Sequence, residues 1–148
     1  MSISAVRGAV FEGLKRQEEI FAMYDRFSKE ATDKILSDFF RSLADDVKGH
    51  IDMMKHLNLH SIVKFGLPIK FNIKSFHFDQ EKLHHIKDKA NAKELLKLGI
   101  DEVNADIEYY EHIANHALFP EVKRIFRVLA DKELDHKSKM KVLYDVLE

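Results

Sequence analysis

The sequence predicts an all-α chain: a four-helix bundle made of two repeated helical hairpins joined by a long crossover connection. Three observations point there. Glycine and proline are scarce, 5 and 2 in 148 residues, while alanine, leucine, lysine and glutamate are plentiful. Apolar residues recur in steps of three and four over long stretches, the period of a helix with one buried stripe. The chain also repeats itself. Sliding it by 86 residues pairs Gly13 with Gly99, Tyr24 with Tyr110, Phe40 with Phe126, Leu43-Ala44-Asp45 with Leu129-Ala130-Asp131, His50 with His136 and Met54 with Met140, without a gap. Two hairpins of one design are the simplest account of that register. A single domain over residues 1–148 is expected, with hairpins at 4–57 and 91–147 and a crossover at 58–90.

The first helix is predicted from about Ser4 to Glu30, capped by Ser2 or Ser4. Its inward positions read Val10, Leu14, Gln17, Phe21, Tyr24, Ser28 and Ala31. Gln17 interrupts that stripe. Glu18, flanked by Leu14 and Phe21, is expected to lean toward the core from the stripe's edge, and Glu19 to point outward. A second helix is expected from Thr32 or Asp33 to about Leu57, with Leu36, Phe40, Leu43, Val47, His50, Met54 and Leu57 inward. So short a turn makes the two helices antiparallel neighbours.

Gly66, Pro68 and the alternating run LPIKFNIKSFHF then predict an extended or irregular crossing, and DQEKLHHIKDK a short helix opened by Asp79. Asn91-Ala92-Lys93-Glu94 has the spacing of a capping box, with Asn91 as cap. The third helix follows to about Leu118, with Ile100, Val103, Ile107, Tyr110, Ala114 and Ala117 inward. Glu102 lies on the flank of that stripe with Leu95, Leu98, Ala105 and Tyr109, where an inward-leaning carboxylate is expected. Pro120 suits the first turn of the fourth helix.

The fourth stripe carries the chemistry. Val122, Phe126, Leu129, Glu133, His136, Met140, Leu143 and Leu147 alternate by four and three. Glu133 and His136 project from one helical face, so a carboxylate and an imidazole can reach the same ion. Burying them unpaired would be costly, and a metal is one candidate partner. The first hairpin has His50 at the place of His136 but Val47 at the place of Glu133.

A duplicated helical hairpin with Glu-x-x-His on its second helix resembles the ferritin-like, rubrerythrin-related di-iron carboxylate proteins, over roughly residues 10–57 and 96–147. The resemblance implies a ferritin-like bundle whose second and third helices are parallel. The connector must then run the bundle's length, roughly 38 Å for a 25-residue helix, which roughly 12 extended residues span. It implies iron, one or two ions, with manganese or zinc as alternatives, held by Glu18, His50, Glu102, Glu133 and His136. Tyr24 and Tyr110 would stand behind them, donating hydrogen bonds to carboxylates. It further implies oxidase or peroxidase chemistry toward oxygen or peroxide, an external electron donor and a homodimer. Val47 removes one bridging carboxylate. Asp46, rotated by about 100° on the helix, is not expected to replace it.

Other classes are disfavoured. A net charge of -1, from 24 basic and 25 acidic residues, provides no field for nucleic acid or an anionic membrane. With no cysteine there is no disulfide, thiolate or rubredoxin-type centre. The opening MSISAVRGAVFEGLK has only a short apolar run, broken by Gly8 and Glu12, so neither a signal peptide nor a membrane span is expected and a cytoplasmic location is the default. His56 with His60, His112 with His116, and His84-His85 lie off the inward stripes and read as solvated. No residue is assigned a catalytic role. Two functions stay open: a metalloprotein, or a non-enzymatic helical scaffold that has partly or wholly lost its metal centre. A coiled-coil interaction module is weaker, because ionisable groups interrupt the stripes and the connector divides them.

Overall fold

The computed structural model describes residues 2–56 and 80–147. They form four helices, α1 (Ile3–Glu30), α2 (Lys34–Lys55), α3 (Lys89–His116) and α4 (Pro120–Val146), with a 3-10 turn at Gln80–His85 ahead of α3. The extended crossing, the end of α2 at Leu57 and the Asp79 cap fall outside the described residues.

Local chemistry sets the helix ends. The Ser2 hydroxyl accepts the Ala5 N–H at 3.1 Å, as its type and place predict. At α3 the expectation is corrected: the helix starts two residues before Asn91, and Asp88 is the cap, accepting the Asn91 N–H at 3.1 Å. Asn91 is drawn elsewhere, its amide oxygen accepting the Thr32 N–H at 3.1 Å. Asp33, the cap residue of α2, likewise turns outward from its own helix. Its carboxylate accepts the N–H groups of Lys87 and Asp88 at 3.2 and 3.0 Å. The turn of the first hairpin is thereby laced to the start of the second.

Cross-helix contacts fix the directions. Ala9 meets Tyr109, Gly13 meets Tyr110 and Arg16 meets Asp106, so α1 and α3 are antiparallel. Each hairpin is antiparallel within itself, and α2 and α3 therefore point the same way. Gly13 and Gly99, partners under the repeat, both lie at close approaches. A Cβ on Gly13 would stand 3.3 Å from the Phe126 ring, and one on Gly99 2.8 Å from Met140 Sδ.

Buried apolar side chains divide into two clusters, one at each end of the bundle. One gathers Tyr24, Phe27, Phe40, Leu43, Val103 and Met140. The other gathers Val6, Ile113, Val122, Ile125 and Phe126. Burying a side chain of this size contributes about 1.5–3 kcal/mol, so the clusters hold the bundle together. Between them lies a layer of buried polar residues: Gln17, His50, Asp106, Lys132, Glu133 and His136. No described helix is long and apolar enough to cross a membrane.

Candidate metal centre

The polar layer takes residues from all four helices. From α1, the Gln17 amide donates to Glu133 Oε1 at 2.9 Å and to the Tyr110 hydroxyl at 2.8 Å. Tyr110 passes its own proton to the Gly13 carbonyl at 3.3 Å. From α2, Asp46 Oδ2 accepts the His136 Nε2–H at 2.6 Å and the Lys132 ammonium at 2.8 Å. From α3, Asp106 accepts from Arg16 at 2.9 Å while the Arg16 guanidinium lies over the Tyr109 ring, 4.2 Å from its centre. From α4 come Lys132, Glu133 and His136, at most 2 % exposed.

Charge in this layer is settled by burial and by neighbours. Burial pushes the Glu133 carboxyl well up, and the Asp106 charge beside it pushes further. Burial also lifts Asp106, to about 6, against the pull of Arg16. Both carboxyls are thereby biased toward the protonated form, and a proton held between them would answer two buried oxygens, Glu133 Oε2 and Asp106 Oδ2, that otherwise have no hydrogen-bond partner. Burial works to raise Asp46, but the bonds from His136 and Lys132 outweigh it and hold this carboxylate below its usual range. Burial lowers both imidazoles, His50 to about 4, so both are neutral near pH 7.

The sequence-predicted residues divide. Glu133, His136 and His50 are buried in the layer as expected. Glu18 and Glu102 are not: both are exposed, and neither leans inward. The true stripe of α1 passes through Gln17, and Glu18 is turned about 100° away from it. On α3 the inward carboxylate is Asp106, one turn after Glu102, which completes the run Gly99, Val103, Asp106, Tyr110, Ile113 in steps of four and three. That spacing was the available signal for Asp106; nothing comparable marked Lys132. Asp46 also departs from expectation. It does enter the layer, and its bond to His136 is the kind that orients a metal-ligating imidazole. The tyrosines donate to no carboxylate. Tyr110 donates to a backbone carbonyl, and the Tyr24 hydroxyl has no hydrogen-bond partner, its ring lying edge-on to His136 at 5.8 Å. His112 and His116 are exposed, as expected of a solvated face.

A sequence model of the rubrerythrin family matches residues 18–144. The chain belongs to the rubrerythrin family. Its four-helix bundle is accordingly the ferritin-like fold. No curated protein and no solved structure gives a significant match.

Membership raises the question of a di-iron centre, which in such bundles draws one glutamate from each of two helices and Glu-x-x-His from each of the other two. In this rubrerythrin-family chain the layer draws Gln17 from α1, Asp46 and His50 from α2 with Val47 beside them, Asp106 from α3 next to Val103, and Glu133 with His136 from α4. The repeat matches Gln17 to Val103 and Val47 to Glu133. Gln17 and Val47 thus put an amide and an isopropyl group at two inward positions, while α3 still brings the Asp106 carboxylate beside Glu133 and α2 brings Asp46 to His136. The charges agree. Asp46 and the proton-sharing Asp106–Glu133 pair carry two negative charges, and Lys132 and Arg16 carry two positive ones. Two divalent ions would add four positive charges to a layer already balanced. Among the described residues no group of three or more His, Asp or Glu is arranged to hold an ion. These donors do not fit a di-iron pair.

Proposed function

We propose that this chain is a non-enzymatic member of the rubrerythrin family, a ferritin-like bundle that serves as a helical scaffold without a di-iron centre. The observations that carry this are Gln17 and Val47, an amide and an isopropyl group at two inward positions of the layer, beside the absence among the described residues of a group of His, Asp or Glu arranged to hold an ion. An oxidase or peroxidase step needs ions bridged by carboxylates, and the reading gives an external electron donor no role. Function then resides on the outer faces of the helices.

Metal content after anaerobic ferrous loading and desalting tests this, in wild type beside Glu133→Ala and His136→Ala. Wild type is expected to hold no more iron than either variant. Two irons per chain, lost in both variants, would overturn the proposal and return the oxidase and peroxidase reading. One ion, lost in both, would establish a mononuclear protein instead.

A further inference from the structure

The repeat sets up a comparison inside the chain. Asp46 and Lys132 occupy the same position of the two hairpins, each one residue before Val47 or Glu133 and four before His50 or His136. Asp46 reaches across to the imidazole of the opposite hairpin, His136, at 2.6 Å. An acid at the matching place would do the same for His50. Lysine has donors and no acceptor, so it cannot take a proton from the His50 ring, and His50 Nδ1 is left without a hydrogen-bond partner. Lys132 instead turns its ammonium to Asp46 Oδ2 at 2.8 Å, on the same oxygen that holds His136.

One satisfied imidazole has thus been given up for a buried positive charge. Lysine is almost never fully buried unless it is paired, and Lys132 is 2 % exposed in a layer that also holds Asp46, Asp106 and Glu133. Without it the partly buried Asp46 carboxylate would face only a neutral imidazole, and removing one partner of an ion pair away from water is destabilising.

We infer that Lys132 is the built-in counter-cation of this layer: its ammonium supplies, from within the chain, the positive charge that bound ions supply in a di-iron bundle. The core then closes without an ion. This rests on the reading of the layer as lacking a di-iron centre, and the experiment separates the two.

Thermal unfolding midpoints of the full chain are measured for wild type, Lys132→Met, Asp46→Asn and the double variant, each with a chelator and with excess manganese. Methionine keeps the unbranched stem and removes the charge; asparagine can still accept from His136. Lys132→Met alone is expected to lower the midpoint by about 5–10 °C, because it strands a partly buried carboxylate. Adding Asp46→Asn should restore about half of that loss or more. Losses that simply add would overturn the role given to Lys132 and leave the proposed function standing. A wild-type midpoint that falls in chelator, or climbs with manganese, would overturn the metal-free reading itself. Should Lys132→Met fail to fold, a folded double variant supports the inference, and an unfolded double variant beside a folded Asp46→Asn overturns it.

Discussion

The proton between Glu133 and Asp106 makes a clear demand on substitutions. Glutamine at 133 can still accept from Gln17 and donate to Asp106, whereas alanine removes both contacts, leaving Gln17 only Tyr110 and Asp106 only Arg16, and opens a cavity. Glu133→Gln is therefore expected to change stability by less than about 1 kcal/mol, and Glu133→Ala to cost about 2–4 kcal/mol, by denaturant unfolding at neutral pH. The same proton gives stability a pH dependence. The folded state holds it more tightly than the unfolded chain, so its contribution is complete below the unfolded carboxyl range, near pH 4.5, and is lost as pH rises through the raised folded values, Asp106 at about 6 and Glu133 above its ordinary value. His50 works in the opposite sense: lowered to about 4, it removes stability as pH falls below about 6.5. Unfolding across pH 5 to 8 should show a decline on the alkaline side that Glu133→Gln reduces, leaving the part that belongs to the buried Asp106; a decline of unchanged size in the variant would place the proton elsewhere. At this scale the sequence was legible in part. Glu133, His136 and His50 followed from the apolar stripe on which they sit. Glu18 and Glu102 did not hold, because the preference for a carboxylate over the actual stripe residues, Gln17 and Val103, moved the reading one position off the helix face.

Helix ends and glycines decide matters at the scale of elements. Asp88 caps α3 and also accepts the Thr32 hydroxyl at 3.0 Å, so Asp88→Ala is expected to cost about 1–2 kcal/mol, as a lost cap does. Replacing Asn91 removes the tie to the Thr32 N–H while leaving the cap in place, and helicity at the start of α3, followed by amide exchange, should survive it better than the loss of Asp88. The capping box was read at Asn91 because its spacing to Glu94 is local, while the contact that claims Asn91 comes from Thr32, 59 residues away. Glycines separate in the same way. Gly49 lies inside α2 with nothing within 4 Å of an added Cβ, so Gly49→Ala should raise stability by about 0.5–1 kcal/mol through helix propensity alone. A Cβ on Gly99 would stand 2.8 Å from Met140 Sδ, and Gly99→Val should lower stability by about 1–3 kcal/mol as the Met140 side chain is pushed from its packed place. Equal effects at the two sites would mean that close approach is not what selects glycine at 99.

Over the whole molecule, the repeat was the strongest signal. It required no structure to show that residues 13 and 99, or 50 and 136, play matched parts, and the bundle follows once both stripes must face a common core. Sequence could not show where the copies had stopped being equivalent in charge, because Asp46 and Lys132 each look like ordinary surface residues until the opposing helix is in place. That divergence bears on assembly. Hairpins of one design are able in principle to pair with themselves, the first with a first from another chain or the second with a second. A pairing of two first hairpins would bring Asp46 against Asp46, and of two second hairpins Lys132 against Lys132, like charges buried face to face. Only a first hairpin with a second cancels them. The opposed charges at one repeated position thus act as a key that tells each hairpin which kind of hairpin it belongs with, and they disfavour the pairing of like hairpins from different chains.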